Sequence, residues 1–115
     1  TPVFFMTWAY SDKPEMAGVL AREYVKAGHD NEALVVPAGL AFERALAGRP
    51  GLRLHVRDRR HPSPEGTYLA ACTVLASLYR INPIGNRFQA DLPTDAAAYL
   101  QQVAWETAEQ FRATY

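Results

Sequence analysis

The chain has 115 residues, a length that accommodates one small domain. Hydrophobic residues make up 49% of the sequence and charged residues 21%, proportions that are typical of a globular protein and exclude a disordered chain. Twelve basic residues balance twelve acidic ones, so the net charge of zero provides no overall basic field for nucleic acid or an anionic membrane surface. The single cysteine, Cys72, excludes an intrachain disulfide and a cysteine-rich zinc site.

Membrane and targeting segments are not indicated by the sequence. The apolar runs are short and interspersed with charged residues, so no membrane span is predicted. The chain begins with Thr1 and Pro2 followed by an apolar run, and this start indicates that a targeting peptide is absent or already removed.

Two short apolar runs near the N-terminus predict strands, with a helix between them. Residues 3–8, Val-Phe-Phe-Met-Thr-Trp, lack polar alternation and are typical of a strand buried on both faces of a parallel sheet. A turn over residues 11–14 precedes apolar residues at helical spacing over residues 16–25. Residues 33–36 form the second run. Because strands separated by a helix join through a right-handed crossover, the two strands are predicted to be parallel.

The rest of the chain is predicted to consist of helices joined by loops. Residues 40–46 predict a short helix and residues 52–56 a short extended piece. Ser63 is a natural N-cap for the next helix, and Pro64 suits the first helical position because its missing N–H costs nothing there. A Thr-Asp pair is predicted to cap a last helix over residues 94–112.

The most informative segment is the loop that precedes the third predicted helix. Asp58 stands three residues before His61, and a carboxylate at this spacing in a tight loop can accept a hydrogen bond from the imidazole Nδ1–H. This contact would fix the ring tautomer, leave Nε2 free as a general base and stabilise the imidazolium when it forms. Pro62 restricts His61 to an extended conformation, so the histidine is predicted to lie ahead of the helix.

The same loop allows other interpretations. An Asp–His pair at this spacing also occurs as a surface ion pair or a capping contact without any catalytic role. His55, Asp58 and His61 stand at three-residue intervals and could ligate a metal, although such a site usually needs a fourth ligand or a water position. A local basic cluster could attract an anionic substrate or could simply be a solvated loop; its members are Arg53, Arg57, Arg59 and Arg60.

Two further residues have both a functional and a structural interpretation. Trp8 ends the first strand, where α/β folds place ligand contacts, and either lines a cleft or packs as a core aromatic. Cys72 lies on an apolar helix stripe and is predicted to be a small buried hydrophobe rather than a nucleophile.

Residues 58–72, Asp-Arg-Arg-His-Pro-Ser-Pro-Glu-Gly-Thr-Tyr-Leu-Ala-Ala-Cys, resemble the last conserved block of the SGNH/GDSL hydrolase superfamily, and in particular a bacterial branch of SGNH-like proteins. Residues 6–9 and 36–42 resemble the same branch, so the likeness covers most of residues 3–85. In that superfamily an Asp-x-x-His pair supplies two members of a Ser-His-Asp triad. The resemblance therefore implies that His61 is a general base oriented by Asp58, with no metal or organic cofactor.

The other motifs of that superfamily do not occur in this sequence. No Gly-Asp-Ser and no Gly-x-Asn-Asp segment is present, and Ser11, Ser63 and Ser77 stand in the wrong contexts for the nucleophile. The resemblance implies that residues 1–115 are the C-terminal part of an α/β protein, a three-layer α/β/α flavodoxin-like sandwich whose fourth and fifth parallel strands lie in this chain. The serine is then expected from the N-terminal part of the same hydrolase.

Two functions of different classes follow. The first is hydrolysis of a carboxylic ester, such as an acyl group on a carbohydrate, by a serine esterase. This chain would supply only the base and its orienting carboxylate. A periplasmic or secreted location is compatible with the resemblance. The second is a non-catalytic fragment or interaction module whose exposed sheet edge pairs with another chain, including a second copy of itself. The 115-residue chain alone is expected not to catalyse.

Overall fold

The computed structural model describes all residues from Thr1 to Tyr115. Two strands and four helices follow in the order β1 (Val3–Phe5), α1 (Met16–Asp30), β2 (Leu34–Val36), α2 (Ala38–Gly48), α3 (Pro64–Leu78) and α4 (Thr94–Thr114). The two strands pair in parallel, as a crossover through α1 predicts. The chain is thus a mixed α/β domain, and none of its helices has the length and apolar character that crossing a membrane requires.

Strand β1 is shorter than the apolar run that predicts it. Pairing with β2 ends where the N–H of Met6 donates to the carbonyl of Val36 at 2.9 Å, and the carbonyl of Met6 then accepts the N–H of Gly39 at 3.0 Å. Trp8 stacks on Phe42, with ring centroids 4.4 Å apart and an interplanar angle of 4°. Residues 6–8 therefore pack against the start of α2 instead of extending the sheet.

One face and one edge of β1 are open. Val3 and Phe5 share a face with Leu34, and the three side chains are 41%, 42% and 46% exposed. The prediction of a strand buried on both faces is therefore wrong for β1. On the same face Val36 of β2 is 2% exposed, so the cover over this face does not reach β1. The carbonyl of Pro2 and the N–H of Met6 both form hydrogen bonds with β2. Because successive residues of a strand direct their backbone N–H and carbonyl groups to opposite edges, those of Val3 and Phe5 point away from β2. We call this side the free edge of β1.

The hydrophobic core lies between α2, α3 and α4. Its larger members include Phe42, Leu69 and Leu100, and its many alanines let the three helices approach closely. Leu54, from the segment between α2 and α3, is 1% exposed and joins this cluster. Helix α1 packs on both strands and α3 packs on β2, so the core connects the sheet to the segment that precedes α3.

The starts of α3 and α4 differ in how they are capped. Ser63 caps α3 as predicted, because its Oγ accepts the N–H of Gly66 at 3.1 Å. Helix α4 begins after Pro93, with Thr94 already inside the helix and no side-chain cap, so the predicted Thr-Asp cap is wrong. Asp95 lies in the first turn of α4, where a negative charge interacts favourably with the helix dipole.

Candidate active site

Residues 54–63 form a tight hairpin between α2 and α3, which we call the Asp–His hairpin. His55 and Pro62 make an isolated antiparallel bridge. The N–H of Val56 donates to the carbonyl of His61 at 2.9 Å. The extended piece predicted from the sequence is therefore reduced to one bridge, because the chain reverses direction immediately after it.

Asp58 holds both the backbone of the turn and the ring of His61. Its Oδ1 accepts the N–H of Arg60 and the N–H of His61, each at 2.9 Å. Its Oδ2 is hydrogen-bonded to Nδ1 of the His61 ring. Arg59 has a φ of 67°, a left-handed conformation that is uncommon outside tight turns. The contact predicted from the three-residue spacing is thus present, and its catalytic role stays a prediction.

The ring of His61 is open to solvent. The side chains of His61 and Asp58 are 77% and 46% exposed, and the only hydrogen bond of the ring is the one through Nδ1. Because the carboxylate accepts from Nδ1–H, the lone pair of the neutral ring lies on Nε2. The arrangement can therefore accept a proton at Nε2 from a group that approaches from solvent.

The carboxyl of Asp58 is held in its charged form. The hydrogen bond with the His61 ring is the largest cause, and the two backbone N–H groups of Arg60 and His61 add to it. Together they lower the pKa of Asp58 well below its usual value. An ionised Asp58 is the state that stabilises a positively charged imidazole ring.

We expect Asp58 to stay ionised at pH values at which an ordinary aspartate is protonated. Since its folded-state pKa is depressed, its contribution to stability is complete above the ordinary aspartate pKa and is lost as the pH falls toward the folded value. A ¹³C NMR titration of the side-chain carboxyl measures this, with Asp58→Asn identifying the resonance. A carboxyl that titrates at the usual value would show that the three hydrogen bonds do not persist in solution.

The segment after β1 holds the Asp–His hairpin from outside. Nε1 of Trp8 donates to the carbonyl of Arg60 at 2.8 Å, and the N–H of Ser11 donates to the carbonyl of Arg59 at 2.9 Å. Trp8 and Arg60 are 52 positions apart, and no periodicity in the sequence indicates that they meet. The position of Trp8 after the first strand was the only signal, and it did not identify the partner.

His55 takes part in the same attachment and does not join His61. Its Nε2 is hydrogen-bonded to the carbonyl of Ala9 at 2.9 Å, and its ring lies edge-on to Phe42 with centroids 5.6 Å apart. The chain contains no group of three His, Cys, Asp or Glu side chains placed to hold a metal ion. The spacing of His55, Asp58 and His61 therefore does not translate into a metal-binding cluster.

Two arginines of the basic cluster add contacts between the hairpin and the segment after β1. A guanidinium nitrogen of Arg59 lies 3.7 Å from a carboxylate oxygen of Asp12. The guanidinium of Arg60 lies 4.9 Å from the ring centroid of Tyr10. Contacts this exposed contribute little individually. The two guanidinium groups are thus directed at different partners in the segment after β1.

No hydroxyl or thiol of the chain is hydrogen-bonded to His61. Ser63 is committed to the helix cap, with its Oγ also donating to the carbonyl of Arg53 at 2.7 Å. Cys72 is buried as predicted, and burial raises the pKa of its thiol, which disfavours the nucleophilic thiolate. The chain thus pairs the imidazole of His61 with the carboxylate of Asp58 and places no hydroxyl or thiol against the ring.

Comparisons of the chain with protein-family models, with curated proteins and with solved structures find no match. The chemistry of the Asp–His hairpin has therefore to be inferred from its own residues.

Proposed function

We propose that residues 1–115 are the C-terminal part of an SGNH-like serine hydrolase with a three-layer flavodoxin-like sandwich. His61 is the general base for hydrolysis of a carboxylic ester, and Asp58 orients it. The observation that carries this proposal is the hydrogen bond between Asp58 and Nδ1 of His61, which leaves Nε2 without a hydrogen-bond partner in the chain. The N-terminal part of the same hydrolase supplies the serine, the substrate is a small ester or an acylated carbohydrate, and no cofactor takes part.

In the proposed reaction His61 moves one proton in each direction twice. The serine Oγ attacks the ester carbonyl carbon while its proton passes to Nε2, and that proton leaves with the alcohol as the acyl-enzyme forms. Water then attacks the acyl carbon while Nε2 takes its proton, and the serine regains that proton as the carboxylic acid leaves. Asp58 remains ionised and stabilises the imidazolium in both halves.

The attachments of the Asp–His hairpin support this role, because a general base acts only when it is held close to its working position. Misplacement by about 1 Å can cost about a hundredfold in rate. Trp8, Ser11 and His55 each hydrogen-bond across the gap between the hairpin and the segment after β1.

The free edge of β1 supports a sheet that continues beyond this chain. Val3 and Phe5 direct unpaired backbone groups to that edge and expose their apolar side chains. Parallel strands are normally covered on both faces, and exposed edges are normally protected. An additional parallel strand from the N-terminal part of the hydrolase would pair with this edge and extend the sheet.

The proposal is tested by labelling with a fluorophosphonate. In this reaction an activated serine displaces fluoride and becomes bonded to phosphorus. The protein used is the polypeptide that carries this chain together with the segment that precedes Thr1. We expect one labelled serine upstream of Thr1, loss of labelling in His61→Ala, and no labelling of the 115-residue chain alone. A polypeptide that is not labelled, or labelling unchanged by His61→Ala, would contradict the proposal.

The free edge of β1 also favours a second function, that of a non-catalytic interaction module. Another chain, including a second copy of this one, would add a strand to the edge through main-chain hydrogen bonds. This function needs no nucleophile and predicts no serine labelling in any context. The fluorophosphonate experiment therefore separates the two functions.

A further inference from the structure

A pocket of 440 Å³ opens beside β2, and no residue of the Asp–His hairpin lines it. Its walls are β2 and the C-terminal ends of α1, α3 and α4. Val25, Leu78 and Phe111 are among the apolar side chains that line it. Sites for small organic ligands typically measure about 300–1,000 Å³ and are mostly apolar with a few placed polar groups.

The charged side chains that line this pocket are cationic or can become so. They are His29, Arg80 and Arg112, and no carboxylate side chain lines the pocket. Arg112 is already engaged, since it donates to the carbonyl of Ala76 at 3.0 Å and to a carboxylate oxygen of Glu109 at 2.6 Å. Arg80 takes part in none of the five ion pairs of the chain. The guanidinium of Arg80 is therefore a permanent cation that has no ion-pair partner and is available to a ligand.

Ser77 lines the same pocket and has an unsatisfied hydroxyl. Its Oγ is shielded from solvent and is the one buried side-chain oxygen or nitrogen of the chain without a hydrogen-bond partner. Thr73 and Thr107, which also lie inside helices, donate to the carbonyl four residues earlier at 2.8 Å and 2.7 Å. Helix position alone thus does not explain the unpaired hydroxyl, and a buried hydroxyl without a partner is unfavourable.

The outer edge of β2 adds a backbone donor. The N–H of Leu34 donates to the carbonyl of Pro2, and the carbonyl of Val36 accepts the N–H of Met6. In a parallel pair this alternation directs the N–H and carbonyl of Val35 to the opposite edge of β2. Val35 lines the pocket, so its N–H lies at the edge of β2 that the pocket adjoins.

We propose that this pocket binds an amphipathic carboxylate, of the class of a medium-chain fatty acid. The apolar tail lies against the side chains of Val25, Leu78 and Phe111. A change of the Ser77 rotamer would bring its hydroxyl to the carboxylate, which also accepts from the N–H of Val35 and pairs with the guanidinium of Arg80. A cationic amphiphile finds no carboxylate side chain in the pocket, and an uncharged one forms no ion pair with Arg80. This inference does not depend on the proposed hydrolase function.

The probe is octanoate, added below its micellar range to the ¹⁵N-labelled 115-residue chain and followed by NMR. We expect saturable shifts at the amides of Val35 and Ser77. Ser77→Ala and Arg80→Gln should each raise the dissociation constant by about three- to tenfold, because each removes one polar contact to the carboxylate. Arg87→Gln is the matched control, since Arg87 is exposed and lies outside the pocket, and it should leave binding unchanged.

Two ligands of similar tail length complete the experiment. Octanol should bind about tenfold more weakly than octanoate, and octyltrimethylammonium should not bind. The proposal is overturned if octanoate produces no saturable shift, if the cation binds as tightly, or if neither Ser77→Ala nor Arg80→Gln weakens binding. Should Ser77→Ala fail to fold, Arg80→Gln decides by itself, because Arg80 is exposed and takes part in no ion pair of the chain.

Discussion

In the proposed serine hydrolase, the rate of ester hydrolysis should fall by about four orders of magnitude or more when His61 is replaced by alanine. The variant loses the proton acceptor for both the serine and the attacking water, so the loss should appear in kcat and leave KM nearly unchanged. Initial rates with 4-nitrophenyl acetate measure it. Glu23→Ala, at an exposed position on α1, should retain the full rate. Wild-type turnover by His61→Ala would refute the assignment of the base.

Two further variants test how Asp58 and Trp8 contribute to the activity of His61. Asp58→Asn keeps an oxygen for the backbone N–H groups of Arg60 and His61 but cannot provide the negative charge, and it should lose about as much activity as His61→Ala. Trp8→Phe keeps an aromatic ring against Phe42 but loses part of the indole, including the N–H that donates to the carbonyl of Arg60, so we expect a smaller loss of about tenfold. Full activity in Trp8→Phe would show that this hydrogen bond does not position the hairpin.

The free energy of unfolding should fall by about 2–4 kcal/mol in Gly66→Ala. A Cβ at this position would overlap the carbonyl oxygen of Leu54 and lie 3.1 Å from the end of the Phe42 ring. That carbonyl also accepts the N–H of Ser63 at 2.9 Å, so the backbone is held where the methyl group has to go. Urea unfolding followed by circular dichroism measures the change.

Gly18→Ala is the matched control for this substitution. Gly18 lies inside α1, and a Cβ there meets no atom within 4 Å. Alanine should therefore raise the free energy of unfolding by about 0.5–1 kcal/mol, through the lower conformational entropy of the unfolded chain. Equal effects of the two substitutions would contradict the close approach of α3 to the Asp–His hairpin.

The predictable parts of this chain are those whose partners are close in sequence. Ser63 caps α3 and Asp58 reaches His61 across three positions each, so residue type and spacing contain the necessary information. The parallel pairing of β1 with β2 also followed, because a helix between two strands allows few other connections.

The unpredicted parts depend on partners far along the chain. An apolar run such as residues 3–8 reads as one strand, whereas Trp8 leaves the sheet to stack on Phe42. The hydrogen bond from Trp8 to Arg60 joins segments that share no local pattern. Ser77 and Thr73 both carry a hydroxyl and stand one turn apart in α3, and the sequence does not show that they differ. In the structure the hydroxyl of Thr73 is hydrogen-bonded and that of Ser77 is not.

The free edge of β1 has a consequence for the solubility of the chain. Residues 3–8 contain aromatic and β-branched side chains with no charge and no proline, a composition typical of segments that stack into cross-β fibrils. Proteins usually protect such an edge with lysine, proline or a bulge, and β1 has none of these within its three residues. A strand that pairs with β1 would therefore protect against aggregation, and the 115-residue chain by itself is expected to stay in solution only when dilute, as in the octanoate experiment.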